Sequence, residues 1–307
     1  RCAAMAPIED HPLRYRLANE LHARPFPALK VPTTAVFLAI KQEHGAAGRD
    51  RALDMAHLVA LLDRHGASHP QPGATHYSGK IGRHMLRWES HTEFVTYTAY
   101  TEGLSKRPFD PAEFEVFPDD WLAEAPGKRV TSALLRVEAR RDDAELNRDI
   151  AEWFVPESVA VSTVLDNSAL IASDFRIDPA GHQRFLLSVT PDDDTRRVGL
   201  MMQRLCEIET YKSMSMLGFA RVRDMNPRMG ELEDRMRAMI GDMTGGDKPA
   251  EETLPDLLDI SAELENLVAQ NVGDGKNVRH VDARAIETLA DDSNCARPTH
   301  AVPVFRW

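Results

Sequence analysis

Residues 130–189 read VTSALLRVEARRDDAELNRDIAEWFVPESVAVSTVLDNSALIASDFRIDPAGHQRFLLSV. Val130 to Val137 is apolar and partly β-branched, which predicts a buried strand. Asp143 to Phe154 follows with helical spacing of its apolar residues. Ser158 to Leu165, Ala169 to Phe175 and Arg184 to Val189 then give three more short strands, separated by turn residues. An earlier stretch has the same character. Thr34 to Ile40 predicts a buried strand, and Arg51 to Arg64 a helix carrying Leu53, Ala56, Leu58, Leu61 and Leu62. His65 to Gly79 is punctuated by Gly and Pro and reads as loop, and Met85 to Tyr100 reads as one long strand or a bent pair. Both passes run strand, helix, strand, strand, so the sequence suggests two βαββ units. Short turns and mixed elements indicate an α+β fold with a mixed or antiparallel sheet, not a doubly wound parallel one.

Outside this region the pattern is helical. Pro12 to Arg24 is expected as a short first helix, with Asp10 as its cap and Leu13, Leu17 and Leu21 recurring every fourth residue. Past Thr190, acceptors at Asp192 to Thr195 open a helix in which Val198, Met201, Leu205 and Ile208 recur. Asn226-Pro227 reads as a cap and first-turn proline, followed by Met229, Leu232, Met236 and Met239 in a three-four-three step. After a connector over Gly241 to Ala250, Leu257, Ser261, Leu264 and Val268 continue it. The stripe predicts a helical hairpin or a coiled-coil stalk, with self-association or partner helices through residues 226–271. The expected organisation is a cytosolic α+β domain at 10–190, a helical stalk at 191–271 and an irregular tail at 272–307. Met5 resembles an initiator, and the tail, where the heptad period stops, reads as foreign to the domain.

The 307-residue chain has a net charge of -11 and only three cysteines, Cys2, Cys206 and Cys295, with no paired spacing. Excess acid argues against a nucleic-acid partner, which needs clustered Lys and Arg. The scattered cysteines fit a reducing compartment, hence a cytoplasmic chain. No apolar run is long enough to span a bilayer.

Two segments concentrate chemistry. On the first helix Tyr15, Asn19 and His22 share a face, beside Glu20 and Arg24. In the strand, alternation places Arg87, Glu89, His91 and Glu93 on one side, with Trp88 and Phe94 on the other. Opposite charges, Arg24 and Arg87 against Glu20, Glu89 and Glu93, suggest one polar cluster joining helix and strand. Glu89, His91 and Glu93 could in principle ligate a divalent ion, although no established metal motif supports it and no cofactor is expected. His44, His57, His65, His69 and His76 share no spacing and read as surface residues. Gly241 to Lys248 imitates a phosphate loop but has Asp247 where the lysine belongs.

Four separated motifs carry a family resemblance. They are His11-Pro12-Leu13-Arg14-Tyr15 running through Leu17-Ala18-Asn19-Glu20-Leu21-His22-Ala23-Arg24-Pro25-Phe26; Leu86-Arg87-Trp88-Glu89 with His91-Thr92-Glu93-Phe94; Ser173-Asp174-Phe175-Arg176 with Arg184-Phe185-Leu186; and Arg204-Leu205-Cys206-Glu207-Ile208-Glu209-Thr210-Tyr211. In this order they resemble the bacterial proteins grouped as domain-of-unknown-function family 3422 and described as predicted membrane-anchored proteins. The resemblance covers about Asp10 to Asn271. It implies a cytosolic N-terminal region, a long helical stalk and a C-terminal anchor at the cytoplasmic face of the inner membrane, and it brings no activity. The sequence departs from the family pattern after Asn271, where the anchor should follow. The leading expectation is a sensing or scaffolding domain. Two alternatives stand beside it: a ligand- or metal-binding enzyme using Asn19, His22 and Glu89 to Glu93, and the cytosolic part of a transporter-like membrane protein.

Overall fold

The structure, a computed structural model, describes residues 10–12, 14, 26–43, 46–165, 167–191, 193–245 and 254–267. Eight strands form one sheet: β1 (Thr33–Lys41), β2 (His76–Ile81), β3 (His84–Ser90), β4 (Phe94–Glu102), β5 (Lys128–Ala139), β6 (Ala160–Val164), β7 (Ala169–Ser173) and β8 (Gln183–Val189). Their order across the sheet is β2-β3-β4-β1-β5-β8-β7-β6. The helices are α1 (Arg51–Arg64), α2 (Asp119–Ala123), α3 (Asp143–Trp153), α4 (Thr195–Gly245) and α5 over residues 254–267. The fold is α+β, as the sequence indicates.

Each half runs strand, helix, strand, strand, strand. The reading as two βαββ units is therefore corrected by one strand in each half: the second half's three later strands are each visible in the sequence, and in the first half Met85 to Tyr100 resolves into β3 and β4 joined at residues 91–93. β2, the missed strand, lies at the sheet edge and begins within the stretch read as loop, running two residues past it. It needs only Tyr77 and Ile81 on its inner face, and its other residues are mostly exposed. The halves meet at β1 and β5, which pair antiparallel. They differ in polarity: β4 runs antiparallel to β1, whereas β8 runs parallel to β5. The longer connector 65–75 gives the first half room to bring the chain back before β2, while 154–159 leads directly into β6.

One face of the sheet carries α1, α2 and α3. Asp50 caps α1 and Asp142 caps α3, each accepting from a backbone N–H two residues on. α1 buries Asp54, His57, Leu58, Leu61 and Leu62, a single helical face, against Leu38, Leu86, Trp88 and Tyr97. Leu53 points to solvent. His57 is not a surface residue: it stacks on Trp121 at 3.8 Å and its Nδ1 lies 2.9 Å from the Tyr97 hydroxyl. Burial lowers its pKa, so it is held as the neutral imidazole. α3 covers the second half through Leu146 and Ile150, which pack on Leu170, Ala172 and Leu186.

The opposite face receives the start of α4. Val198, Met201, Met202, Leu205 and Cys206 pack on Phe37, Ala133, Leu135, Phe185 and Leu187. Glu209 is 1% exposed and accepts from Thr131 Oγ1 at 2.9 Å, Gln183 Nε2 at 2.7 Å and Ser213 Oγ at 2.9 Å, with Lys212 Nζ at 2.5 Å. Those partners tie the helix to β5 and β8. α4 then leaves the sheet and continues without a break. Asn226-Pro227 is not a helix start, and Gly241 is not the beginning of a connector, because the helix is continuous through both. A single proline removes one hydrogen bond and the turns on either side hold the rest. α5 packs back on α4 through Leu232, Met239, Ile260 and Leu267, and Glu263 pairs with Arg228 and Arg235 at 2.9 Å each. The stalk is thus a helical hairpin.

Gly199 sets how closely α4 approaches the strand-side chain. A Cβ there would lie 1.6 Å from the Pro27 carbonyl oxygen and 2.7 Å from its carbon. The Leu29 N–H meanwhile donates to the Thr195 carbonyl at 2.9 Å. Gly199→Ala should therefore lower stability by about 2–4 kcal/mol, since backbone must move to admit the methyl group. Urea unfolding followed by tryptophan fluorescence measures this, and an unchanged midpoint would contradict the close packing.

Candidate functional site

The alternation of β3 sends Arg87 and Glu89 to the face that α4 covers. Thr96 and Thr98 of β4 lie across from them, paired in register as Glu89 with Thr96 and Arg87 with Thr98. α4 brings Gln203, Cys206, Glu207, Thr210 and Tyr211 over the same spot. A small cavity of about 30 Å³ remains between them, room for one or two waters.

A chain of hydrogen bonds crosses this junction. Arg87 Nη1 donates to Gln203 Oε1 at 2.9 Å and Arg87 Nη2 to Glu89 Oε1 at 2.9 Å. Gln203 Nε2 donates in turn to Glu207 Oε1 at 2.8 Å. His91 Nε2 stands 4.0 Å from Glu89 Oε2 and 3.4 Å from Thr96 Oγ1, and its ring stacks on Phe94 at 4.3 Å. The guanidinium therefore bridges sheet and helix, with a carboxylate on each element. Burial raises the Glu207 pKa, and the Glu89 carboxylate adds to the rise. Burial likewise pushes the Cys206 thiol well above its ordinary range, so it is no nucleophile at neutral pH.

The polar cluster read from the sequence is redistributed. Arg87, Glu89 and His91 do come together. Glu93 does not join them, because β3 ends at Ser90 and residues 91–93 form the turn, which breaks the alternation. Its carboxylate instead pairs with Lys41 Nζ at 2.7 Å, with both side chains about a tenth exposed. For the same reason Phe94 lies on the face of Arg87 and Glu89, opposite Trp88. Glu89, His91 and Glu93 do not converge as a metal site, and among the described residues no three His, Cys, Asp or Glu side chains do. Asn19, Glu20, His22 and Arg24 lie outside the described residues.

Three participants were missed: Arg49, Gln203 and Glu207. Arg49 holds the 91–93 turn. Its Nη2 donates to the carbonyls of His91 at 2.7 Å and Phe94 at 3.1 Å, its Nη1 donates to the carbonyl of Thr92, and its Nε pairs with Asp54 at 2.7 Å. No local spacing announces such a long-range contact. Gln203 and Glu207 did leave a signal, being one turn apart on a helix with Glu207 inside the fourth motif.

A larger groove adjoins the cavity. It has a volume of about 660 Å³ and runs over the outer face of β2 and β3, with Phe26, Pro27 and Ala28 on its rim and Arg87 and Glu89 among its walls.

Comparison with protein families matches residues 9–273 to the family described as Protein of unknown function (DUF3422). The chain belongs to that family. No curated protein and no solved structure matches it. Among the described residues no helix is long and apolar enough to cross a membrane.

Two variants separate the roles of the two glutamates. Glu93→Ala strands the buried Lys41 ammonium and should cost about 3–5 kcal/mol. Glu89→Gln keeps an acceptor for Arg87 and should cost about 1 kcal/mol or less. Equal losses in chemical denaturation would place both in one structural cluster. A third variant tests Glu207. Its raised folded pKa makes its protonation favour the folded state, a contribution fully present below its unfolded value and lost as pH rises through the folded one. Glu207→Gln should thus raise the melting temperature at pH 7 to 8 and leave it little changed below about pH 4.5. A shift of equal size at both pH values would show that the ionised carboxylate is not penalised.

Proposed function

We propose that this chain is a sensing or scaffolding domain mounted on a helical stalk, and that members of its family are held by a C-terminal anchor at the cytoplasmic face of a bacterial inner membrane. The observation that carries this reading is the continuity of α4. Its first turns complete the core of the sheet, and the rest of the same 51-residue helix forms the stalk, on the order of 75 Å in all. A rigid helix that belongs to both parts suits a domain that must be displayed at a distance from its attachment, or whose state must be read along the stalk.

The polar junction supplies the input side of the proposal. Arg87, Glu89, Gln203 and Glu207 join the sheet to α4, and Arg87 and Glu89 also face the groove. The opposite charges of Glu20 and Arg24 on one motif and of Arg87 and Glu89 on the other support one polar cluster that also takes in Asn19 and His22. A ligand or partner segment engaging the groove would then act on the residues that seat the stalk helix.

The test is to express the chain with the natural coding sequence that follows it in a family member, and to fractionate the cells. The product should sediment with membranes and be released by detergent but not by high salt or alkaline wash. Recovery in the soluble fraction would overturn the membrane-held stalk.

A further inference from the structure

We infer that α4 pairs with α4 of a second copy of this chain, parallel and in register, along the stripe from Phe219 to Met243. The inference rests on the stalk reading above and adds the partner and the surface. Phe219, Val222, Asn226, Met229, Glu233, Met236, Ile240 and Met243 are spaced alternately by three and four residues, which makes them the a and d positions of consecutive heptads. α5 reaches this stripe only at Met229, which is half-buried against the hairpin cluster. It takes the neighbouring one, where Leu232 is 3% and Met239 8% exposed. The a and d stripe is left facing outward: Phe219 is 59%, Val222 56%, Met236 39%, Ile240 51% and Met243 54% exposed.

A surface helix that served only its own hairpin would have one apolar stripe, and α4 has two side by side. The second runs about 37 Å, and two such helices face to face bury on the order of 1,200 Å² in total, which reaches the lower end of stable specific interfaces. The polar residues inside the stripe select the partner. Asn226 occupies an a position, where an asparagine meets its own copy and hydrogen-bonds only if the helices are parallel and in register. Turned antiparallel about the middle of the stripe, Asn226 would face Met236 and lose that bond. Arg223 and Arg237, both at e positions, would also approach each other. In the parallel pair Glu233 meets its copy, and Arg237 one turn further along the same edge offers it an opposite charge. Both sheet domains then sit at one end of a four-helix stalk, as a common attachment at the other end requires.

Sedimentation equilibrium of the full chain between 1 and 100 μM should show a dimer (concentrations of roughly this range resolve micromolar pairing). Val222→Glu and Met236→Glu should each weaken association about 100-fold, the effect of burying an unpaired charge in the seam. Their near-ultraviolet dichroism should stay as in the parent, because both positions are exposed within one copy, while melting should fall only by the stabilisation that pairing supplies. A parent that is monomeric throughout, or glutamate variants that pair as tightly as it does, would overturn the inference. Orientation is read from Met236→Cys in a Cys2→Ser, Cys295→Ser background. Mild oxidation should give a covalent dimer through residue 236. Crosslinking of Met236→Cys only to a copy carrying Asn226→Cys would mean antiparallel pairing, and the inference would fall. A membrane-held product with a monomeric stalk would sink the pairing alone, whereas a soluble product that dimerises would sink the anchor reading alone.

Discussion

Glu209 is a carboxylate taken almost wholly out of water, and the placement of α4 depends on it. An ionised group at that depth is tolerable only when donors surround it. Thr131 supplies one from β5, Gln183 one from β8, and Ser213 and Lys212 two from the helix itself. Rotating or sliding α4 by one residue would take the carboxylate away from the strand donors. The apolar contacts of Val198, Met202 and Leu205 would tolerate such a slip far better, because hydrophobic burial is not directional. The buried acid therefore fixes the register, and Gly199 fixes the depth by admitting the Pro27 carbonyl where any side chain would collide. The rest of α4, including the junction with Arg87 that precedes Glu209 and the direction of the stalk that follows it, inherits that setting.

The two halves of the sheet show what a shared plan leaves open. Both run strand, helix and three strands, and they meet at β1 and β5. Their outer strands nonetheless run in opposite senses relative to the first strand of each half. A strand is half-buried in either direction equally well, so its apolar residues do not record which way it points. That choice passes to the connectors, and 65–75 and 154–159 differ enough in length to decide it. Hydrophobic pattern showed the plan, and no pattern within the strands could show the polarity.

Similar reasons separate what was legible from what was not. β1, β5 and β8 are central and almost continuously apolar, so their residues declare them. β2 is an edge strand with Ser78, Gly79 and Lys80 at its centre, which reads as turn chemistry. Asn226-Pro227 carries a strong start signal, but the helix was already propagating and continuing costs less than nucleating anew. At the site, the Arg87 and Glu89 pairing was readable from alternation. The diversion of Glu93 to Lys41 was not, because it follows from the turn that Arg49 holds from more than forty residues away. His57 was hidden for the same reason: its partners, Tyr97 and Trp121, come from elements distant in sequence.

The position of the polar junction on α4 also constrains how a signal could travel. Gln203 and Glu207 precede Glu209 by two turns or less, and the outward stripe begins at Phe219, three turns beyond it. A helix with intact hydrogen bonds transmits rotation far better than it absorbs it. If the charge at the junction changes, through protonation of Glu207 or a new partner for Arg87, the load falls first on the Glu209 anchorage. Two outcomes are then physically open. The donors around Glu209 hold, and the change stays local to the cavity. Or they yield, and α4 turns as a unit, which moves Phe219, Val222 and Met236 around the stalk axis together. The second outcome needs only a few kcal/mol of bias between two packed arrangements, the scale of one buried charge gaining or losing a partner. The same buried carboxylate that sets the register is thus the element whose strength decides whether the sheet domain and the stalk can be coupled at all.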